Sequence, residues 1–384
     1  VTSRSSSNTR PLLLYVSDAE AIGGAEGYLE TLLLHADRER YRVGLALPER
    51  PATRPLVEHT RAAGAEVVFY TGQHRDGLSP GALARGLSLL RELEPRVAHF
   101  VLSGPRRCAE LVLAAALLRV PRRIATFQLV TPVPHFGWLA GALRMLNRRA
   151  QFRTLHRGVA VSRGNARLLV EQYGFPASRL ALIPNAVDIA RFAPRPPDPA
   201  TRAAWGVPAG APLIGVVGRL GPQKGHRVLL QALPRVWERY PSTHVALIGA
   251  GELDAELRAL AAQVDNRGRV HFAGRQDDVP AALAALDLFV LPSLYEGLPF
   301  AVLEAMAAGR ALVATAVDGT AEVIDPERSG VLVPPGLPGP LADAIIRLLG
   351  DPALRERLGQ AARAEVAARF DQRQMLERTY ALYE

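Results

Sequence analysis

The sequence contains one cysteine and one lysine. A lone Cys108 excludes an internal disulfide and any metal centre built from several thiolates, and at the start of a helical pattern it reads as a small buried hydrophobe. No apolar run approaches the roughly 18 residues of a membrane span, and no secretory apolar segment follows the polar residues 1–10, so a cytoplasmic location is expected. Aromatic residues make up 6% of the chain and fall into no RNA-binding signature, and zinc-finger and helix-turn-helix patterns are also missing. Nucleic acid is therefore not an expected partner.

The shortage of lysine carries more information. Lys224 is the only lysine among 46 basic residues, the rest being Arg. Where either cation would serve, this chain uses Arg, so the one retained Lys marks a place that needs a compact, flexible point charge. It lies in a glycine-flanked turn, GRLGPQKG, at residues 218–225.

A chain of 384 residues with 48% apolar and 22% charged content is globular and too long for one ordinary core. Short apolar runs alternate with helical spacing. Strands are expected at 11–16, 42–47, 66–70, 97–102, 123–128, 159–162 and 180–183, with helices between them. After a proline-rich stretch at 192–199 the alternation restarts, with strands at 212–217, 244–248, 270–272, 288–291 and 311–314. The class is α/β, with two Rossmann-like domains of parallel strands and the ligand between them. The first domain is expected over 1–190, joined by a C-terminal helix at 371–384, and the second over 191–370.

The chain is organised around residues 286–317, which read as strand, turn, helix, strand. Glu296-Gly297-Leu298-Pro299 breaks the apolar run, with Pro299 suited to the first helical position and Glu296 beside the positive end of the helix dipole. The turn offers a carboxylate at Glu296 and N–H groups at Gly297 and Leu298; the helix adds Glu304. The two acids are too far apart for a close dyad. Separated carboxylates around an anion-binding helix start suit a diphosphate flanked by polyhydroxylated rings, the shape of a nucleotide sugar. Gly23 and Gly24 open the first helix after the first strand, an arrangement that holds phosphate on backbone N–H groups and that a tight turn explains equally well.

Charge is uneven along the chain, whose formal net charge is +9. Residues 101–170 hold twelve Arg against one acid, Glu110, and include Phe136, Trp138 and Leu139. A solvated basic face and contact with an anionic membrane surface both fit this composition.

With GGAE near the start, GRLGPQKG, and EGLPFAVLEAMAAG, the sequence resembles the retaining glycosyltransferases of glycosyltransferase family 4, which have the two-domain GT-B fold with Rossmann-like domains facing each other across a cleft. The resemblance runs from Gly23 to about Ile324. It implies a metal-independent hexosyltransferase that needs no cofactor and moves a sugar from a nucleoside diphosphate sugar to a hydroxyl acceptor. Arg219 and Lys224 would hold the diphosphate, Glu304 the ribose and Glu296 the transferred sugar. Gly297, Leu298, Gly23 and Gly24 would complete the phosphate cradle, with Gly274 and Arg275 near the base. Family members commonly have a His where this chain has Gln128. Either Gln128 orients the sugar, or His99 or His135 takes over that place.

Overall fold

The computed structural model describes residues 10–20, 23–71, 79–133, 149 and 151–384. The chain divides into two compact units, residues 1–184 with 376–384, and residues 185–375. The proline-rich stretch 192–199 lies inside the second unit.

The first unit is built on a sheet of seven strands: β1 (Leu12–Ser17), β2 (Arg42–Leu47), β3 (Glu66–Phe69), β4 (Pro95–Leu102), β5 (Arg122–Phe127), β6 (Arg157–Ala160) and β7 (Leu180–Leu182), in the order β3-β2-β1-β4-β5-β6-β7. The second contains β8 (Leu213–Val217), β9 (His244–Ile248), β10 (Val270–Gly274), β11 (Leu288–Leu291), β12 (Leu312–Thr315) and β13 (Val331–Val333), in the order β10-β9-β8-β11-β12-β13. Neighbouring strands in both sheets are parallel. The expected α/β class and the pair of Rossmann-like sheets are present. β1 and β11 are buried along their full length, as strands covered on both faces must be.

The order reverses between β1 and β4 in the first unit and between β8 and β11 in the second. At such a point the loops leaving the two strands run in opposite directions and open a crevice beyond the strand ends. Among the described residues no helix is long and apolar enough to cross a membrane.

Three local expectations need correction. Pro299 is the N-cap of the helix Phe300–Ala307 rather than its first residue. The strand expected at 159–162 starts earlier, at Arg157, because pairing with β5 recruits Arg157-Gly158 despite glycine's poor strand preference. A Cβ on Gly158 would lie 2.4 Å from the Phe175 ring, so the aromatic cluster of Phe127, Phe152 and Phe175 requires glycine there. β13 was not expected: three residues carry too little periodicity to be recognised.

The C-terminal residues of the first unit are fixed by a buried polar cluster. Tyr380 Oη donates to the Leu32 carbonyl at 3.0 Å, and Tyr383 Oη lies 2.7 Å from His99 Nδ1. The other ring nitrogen of His99 meets Thr126 Oγ1 at 2.8 Å.

Candidate functional site

The crevice of the second unit is formed where the turn after β8 meets the loop after β11. Gly225 makes this approach feasible. It has φ +65°, and a Cβ there would lie 2.0 Å from the Pro292 carbonyl oxygen. The loops are then stitched together by the Leu294 N–H donating to the Gln223 carbonyl at 2.8 Å.

This packing brings Lys224 to Glu296, two residues 72 apart in sequence, with Nζ 2.6 Å from Oε1. Ser293 Oγ donates to the same oxygen at 2.7 Å, and Gln223 Nε2 donates to Oε2 at 3.0 Å. Thr315 Oγ1, at the end of β12, donates to the Ser293 carbonyl at 2.5 Å and fixes that loop. Glu296 is 4% exposed. Burying a carboxylate is costly unless donors surround it, and these three donors also set its orientation. Gln223, Ser293 and Thr315 were missed in the sequence because they are ordinary loop residues until the two strand ends are adjacent.

Glu304 behaves differently. It is partly buried in the helix Phe300–Ala307, and no described protein group donates a hydrogen bond to its carboxylate. Burial pushes its pKa up to about 7 against the pull of Arg191 and Lys224. Such a carboxyl has unused acceptor capacity for hydroxyl donors. The helix start is held by close backbone packing, since a Cβ on Gly319 would lie 1.8 Å from the Gly297 carbonyl oxygen. The Leu298 carbonyl accepts from Asn185 Nδ2 at 2.9 Å.

The remaining residues expected on this side are less constrained. Arg219 follows Gly218 at the end of β8 with its side chain 49% exposed, and its nearest acid, Glu252, is 3.9 Å away. Gly274 ends β10 with φ +66°, its carbonyl accepting from the Gly249 N–H at 2.9 Å, and Arg275 beside it is exposed. The structure therefore joins Lys224 with Glu296 directly, while the pair of Arg219 with Glu252 is long and exposed.

In the first unit, the helix Gly24–Leu34 begins at the expected glycines, but the Gly23 N–H donates to Glu26 Oε2 at 2.8 Å. That donor is already occupied by a carboxylate of its own helix. Gln128 follows β5, nearly buried, with its N–H donating to the Leu102 carbonyl at 3.0 Å. His99 is not a substitute for the family's His. It sits in β4 with both ring nitrogens engaged, and burial lowers its pKa to about 3, so it is a neutral packing residue. His135, Phe136, Trp138 and Leu139 lie outside the described residues.

One strand-end acid was overlooked. Asp18, directly after β1, accepts from the Ser103 N–H at 2.8 Å and from the Ser103 hydroxyl, with Arg107 Nε at 3.4 Å. Burial raises its pKa and the three donors oppose that. A single acid just past the apolar run Leu12–Val16 was the available signal.

Among the described residues no three His, Cys, Asp or Glu side chains gather to hold a metal ion. Residues 198–365 match the family model for glycosyl transferases group 1, and residues 22–191 match that for Glycosyltransferase Family 4. A GDP-mannose-dependent phosphatidylinositol monomannoside mannosyltransferase of Corynebacterium glutamicum is 34% identical over 207 residues, 51% of this chain and 54% of that protein. A 2-deoxystreptamine glucosyltransferase of Streptomyces kanamyceticus is 31% identical over 192 residues, 49% of this chain and 50% of that protein. The chain spans about half the length of the curated relatives it matches. Among solved structures, a glycosyltransferase from Rickettsia africae superposes with a TM-score of 0.82 at 18% identity, covering 98% of each chain. Anabaena HepE in complex with UDP-glucose gives 0.78 at 23% identity, covering 96% of this chain and 98% of that one. These two similarities establish the shared fold.

Proposed function

Since the chain belongs to the group 1 glycosyl transferases, we propose that it moves a hexose-type sugar from a nucleoside diphosphate sugar to a hydroxyl acceptor, with retention at the anomeric carbon and without a metal ion. The observation that carries this reading is the strand-end cluster of the second unit, where Lys224 and an oriented Glu296 share the crevice with the uncommitted carboxyl of Glu304. Lys224 and Arg219 meet the diphosphate as a point charge and a planar fork, and the N–H groups of Gly297 and Leu298 add to them. Glu304 accepts from the ribose hydroxyls and Glu296 from the transferred sugar. Gly274 and Arg275 line the base.

As charge develops on the leaving diphosphate, the cations stabilise it, and the attacking hydroxyl loses its proton to that phosphate on the same face. Glu296, hydrogen-bonded on both oxygens, serves to orient rather than to attack. A donor of the UDP or GDP type is supported by a GDP-mannose-dependent relative and a structural neighbour in complex with UDP-glucose. The Arg-rich 101–170 stretch is proposed to meet an anionic membrane carrying the acceptor, at the cytoplasmic face.

The test is a panel of nucleoside diphosphate sugars scored by thermal shift, followed by product analysis with hydroxyl acceptors in excess chelator. Stabilisation by one donor and transfer with retained configuration are expected. Binding without transfer to any acceptor would make the protein a nucleotide-sugar sensor. Loss of activity in chelator, restored by magnesium or manganese, would show that the named cations are insufficient.

A further inference from the structure

In the first unit the strands start at the edge opposite Gly23, Gly24 and Gln128, about 20 Å away along the six residues of β5. Basic residues cluster at that edge. Arg122 and Arg123 open β5, Arg157 opens β6, and Arg179 immediately precedes β7, where Leu180 pairs with Gly158 beside Arg157.

Two of these guanidinium groups converge on one turn. Arg123 Nε donates to the Thr154 carbonyl at 2.7 Å, and Arg179 NH1 donates to those of Arg153 and Leu155 at 2.9 and 3.2 Å. Arg123 NH1 also reaches the Val120 carbonyl at 2.6 Å. Both groups are therefore held by neutral main-chain oxygens, which fix their positions without cancelling their charge. His156 closes the turn and its Nδ1 accepts from the Arg123 N–H at 3.1 Å, so the ring proton of the neutral form is on Nε2. Among the described residues no carboxylate comes within ion-pair distance of Arg123, Arg153, Arg157 or Arg179, and Arg122 is engaged by the main-chain oxygen of Glu384.

We propose that Arg123, Arg157, Arg179 and His156 form an anion site for a phosphorylated ligand carrying at least two negative charges. Planar forks that still have unused N–H donors, already fixed in place, match phosphate oxygens and lose little freedom on binding. Without an anion the cations repel one another. The Arg123 pKa is lowered first by burial and then by Arg179, and that of His156 first by burial and then by Arg123, Arg122, Arg179 and Arg157. A bound dianion reverses the sign of that field, so binding takes up a proton at His156.

The experiment follows the His156 ring protons by NMR, assigned through their loss in His156→Gln, while pH is varied with inorganic pyrophosphate or with chloride at equal ionic strength. Because the readout is local, pyrophosphate bound near Lys224 does not register. Pyrophosphate should raise the His156 titration midpoint by about one pH unit, the scale of an opposite charge a few ångströms away. Arg157→Gln, exposed and without a hydrogen bond to hold the fold, should weaken the effect about tenfold, and Arg157→Gln with Arg179→Gln should remove it. A second arm replaces pyrophosphate with vesicles containing phosphatidic acid; a response to vesicles alone identifies the phosphate source as a lipid headgroup. An equal response to chloride, no response to either phosphate form, or an unchanged response in the folded Arg157→Gln protein would overturn the site.

Discussion

The two sheets share the strand order around their reversal points, yet those points hold opposite chemistry. In the second unit a desolvated carboxylate faces a lysine, and a second carboxyl, Glu304, has no hydrogen-bond donor among the described residues. In the first, Asp18 accepts from Ser103 and faces Arg107, and Glu26 accepts from the Gly23 N–H of its own helix. The lesson is that topology supplies a crevice in each unit, while unspent hydrogen-bonding and charge capacity distinguish a place to bind from a place that holds a loop.

The sharpest way to break this contrast is Lys224→Ala. Nucleoside diphosphate affinity should fall by about 2–4 kcal/mol, the scale of removing one partner from a desolvated charge pair, with transfer abolished and the fold retained. Calorimetry that finds unchanged affinity would remove Lys224 from the phosphate site.

In the first unit the matching change is Asp18→Ala, which should cost about 1.5–3 kcal/mol in stability by urea unfolding, because the Ser103 N–H and the Arg107 charge lose their buried acceptor. Nucleoside diphosphate affinity should stay within about twofold. A large loss of affinity with unchanged stability would mean that Asp18 belongs to the binding machinery.

Glu304 gives a pH test. Its folded pKa, about 7, lies above the ordinary carboxyl value of 4.5, so its contribution to stability is complete below 4.5 and is lost as pH rises through 7. Glu304→Gln should flatten the stability profile over that window. Hydroxyl donors favour the ionised form, so donor binding near pH 7 should release a proton, measurable by calorimetry in buffers of different ionisation enthalpy. A profile that Glu304→Gln leaves unaltered would show that the carboxyl titrates normally.

The smallest effect is expected from Gln223→Ala, which removes one of the donors to Glu296. Donor sugar affinity should drop by about 0.5–1.5 kcal/mol, with free nucleoside diphosphate affinity unchanged. Equal losses for both ligands would place Gln223 on the phosphates.

Much of the fold was legible because parallel strands buried on both faces leave continuous apolar runs. β2, β9 and β11 begin and end where hydrophobic pattern alone puts them. β13 was hidden by its shortness, and the early start of β6 by an Arg-Gly pair that only the neighbouring strand and Phe175 make sensible.

For the site, the sequence by itself determined the singular Lys224, the Glu296-Gly297-Leu298 turn and Glu304, since unusual residues at strand-to-helix transitions are visible without coordinates. Only the tertiary structure decided that Lys224 and Glu296 form one pair, that Gln223, Ser293 and Thr315 orient it, and that His99 is a neutral core residue. The physical reason is that charge, hydrogen-bond capacity and burial are properties of a neighbourhood. Here that neighbourhood is assembled from strand ends some seventy residues apart, by a backbone approach that the missing Cβ of Gly225 permits.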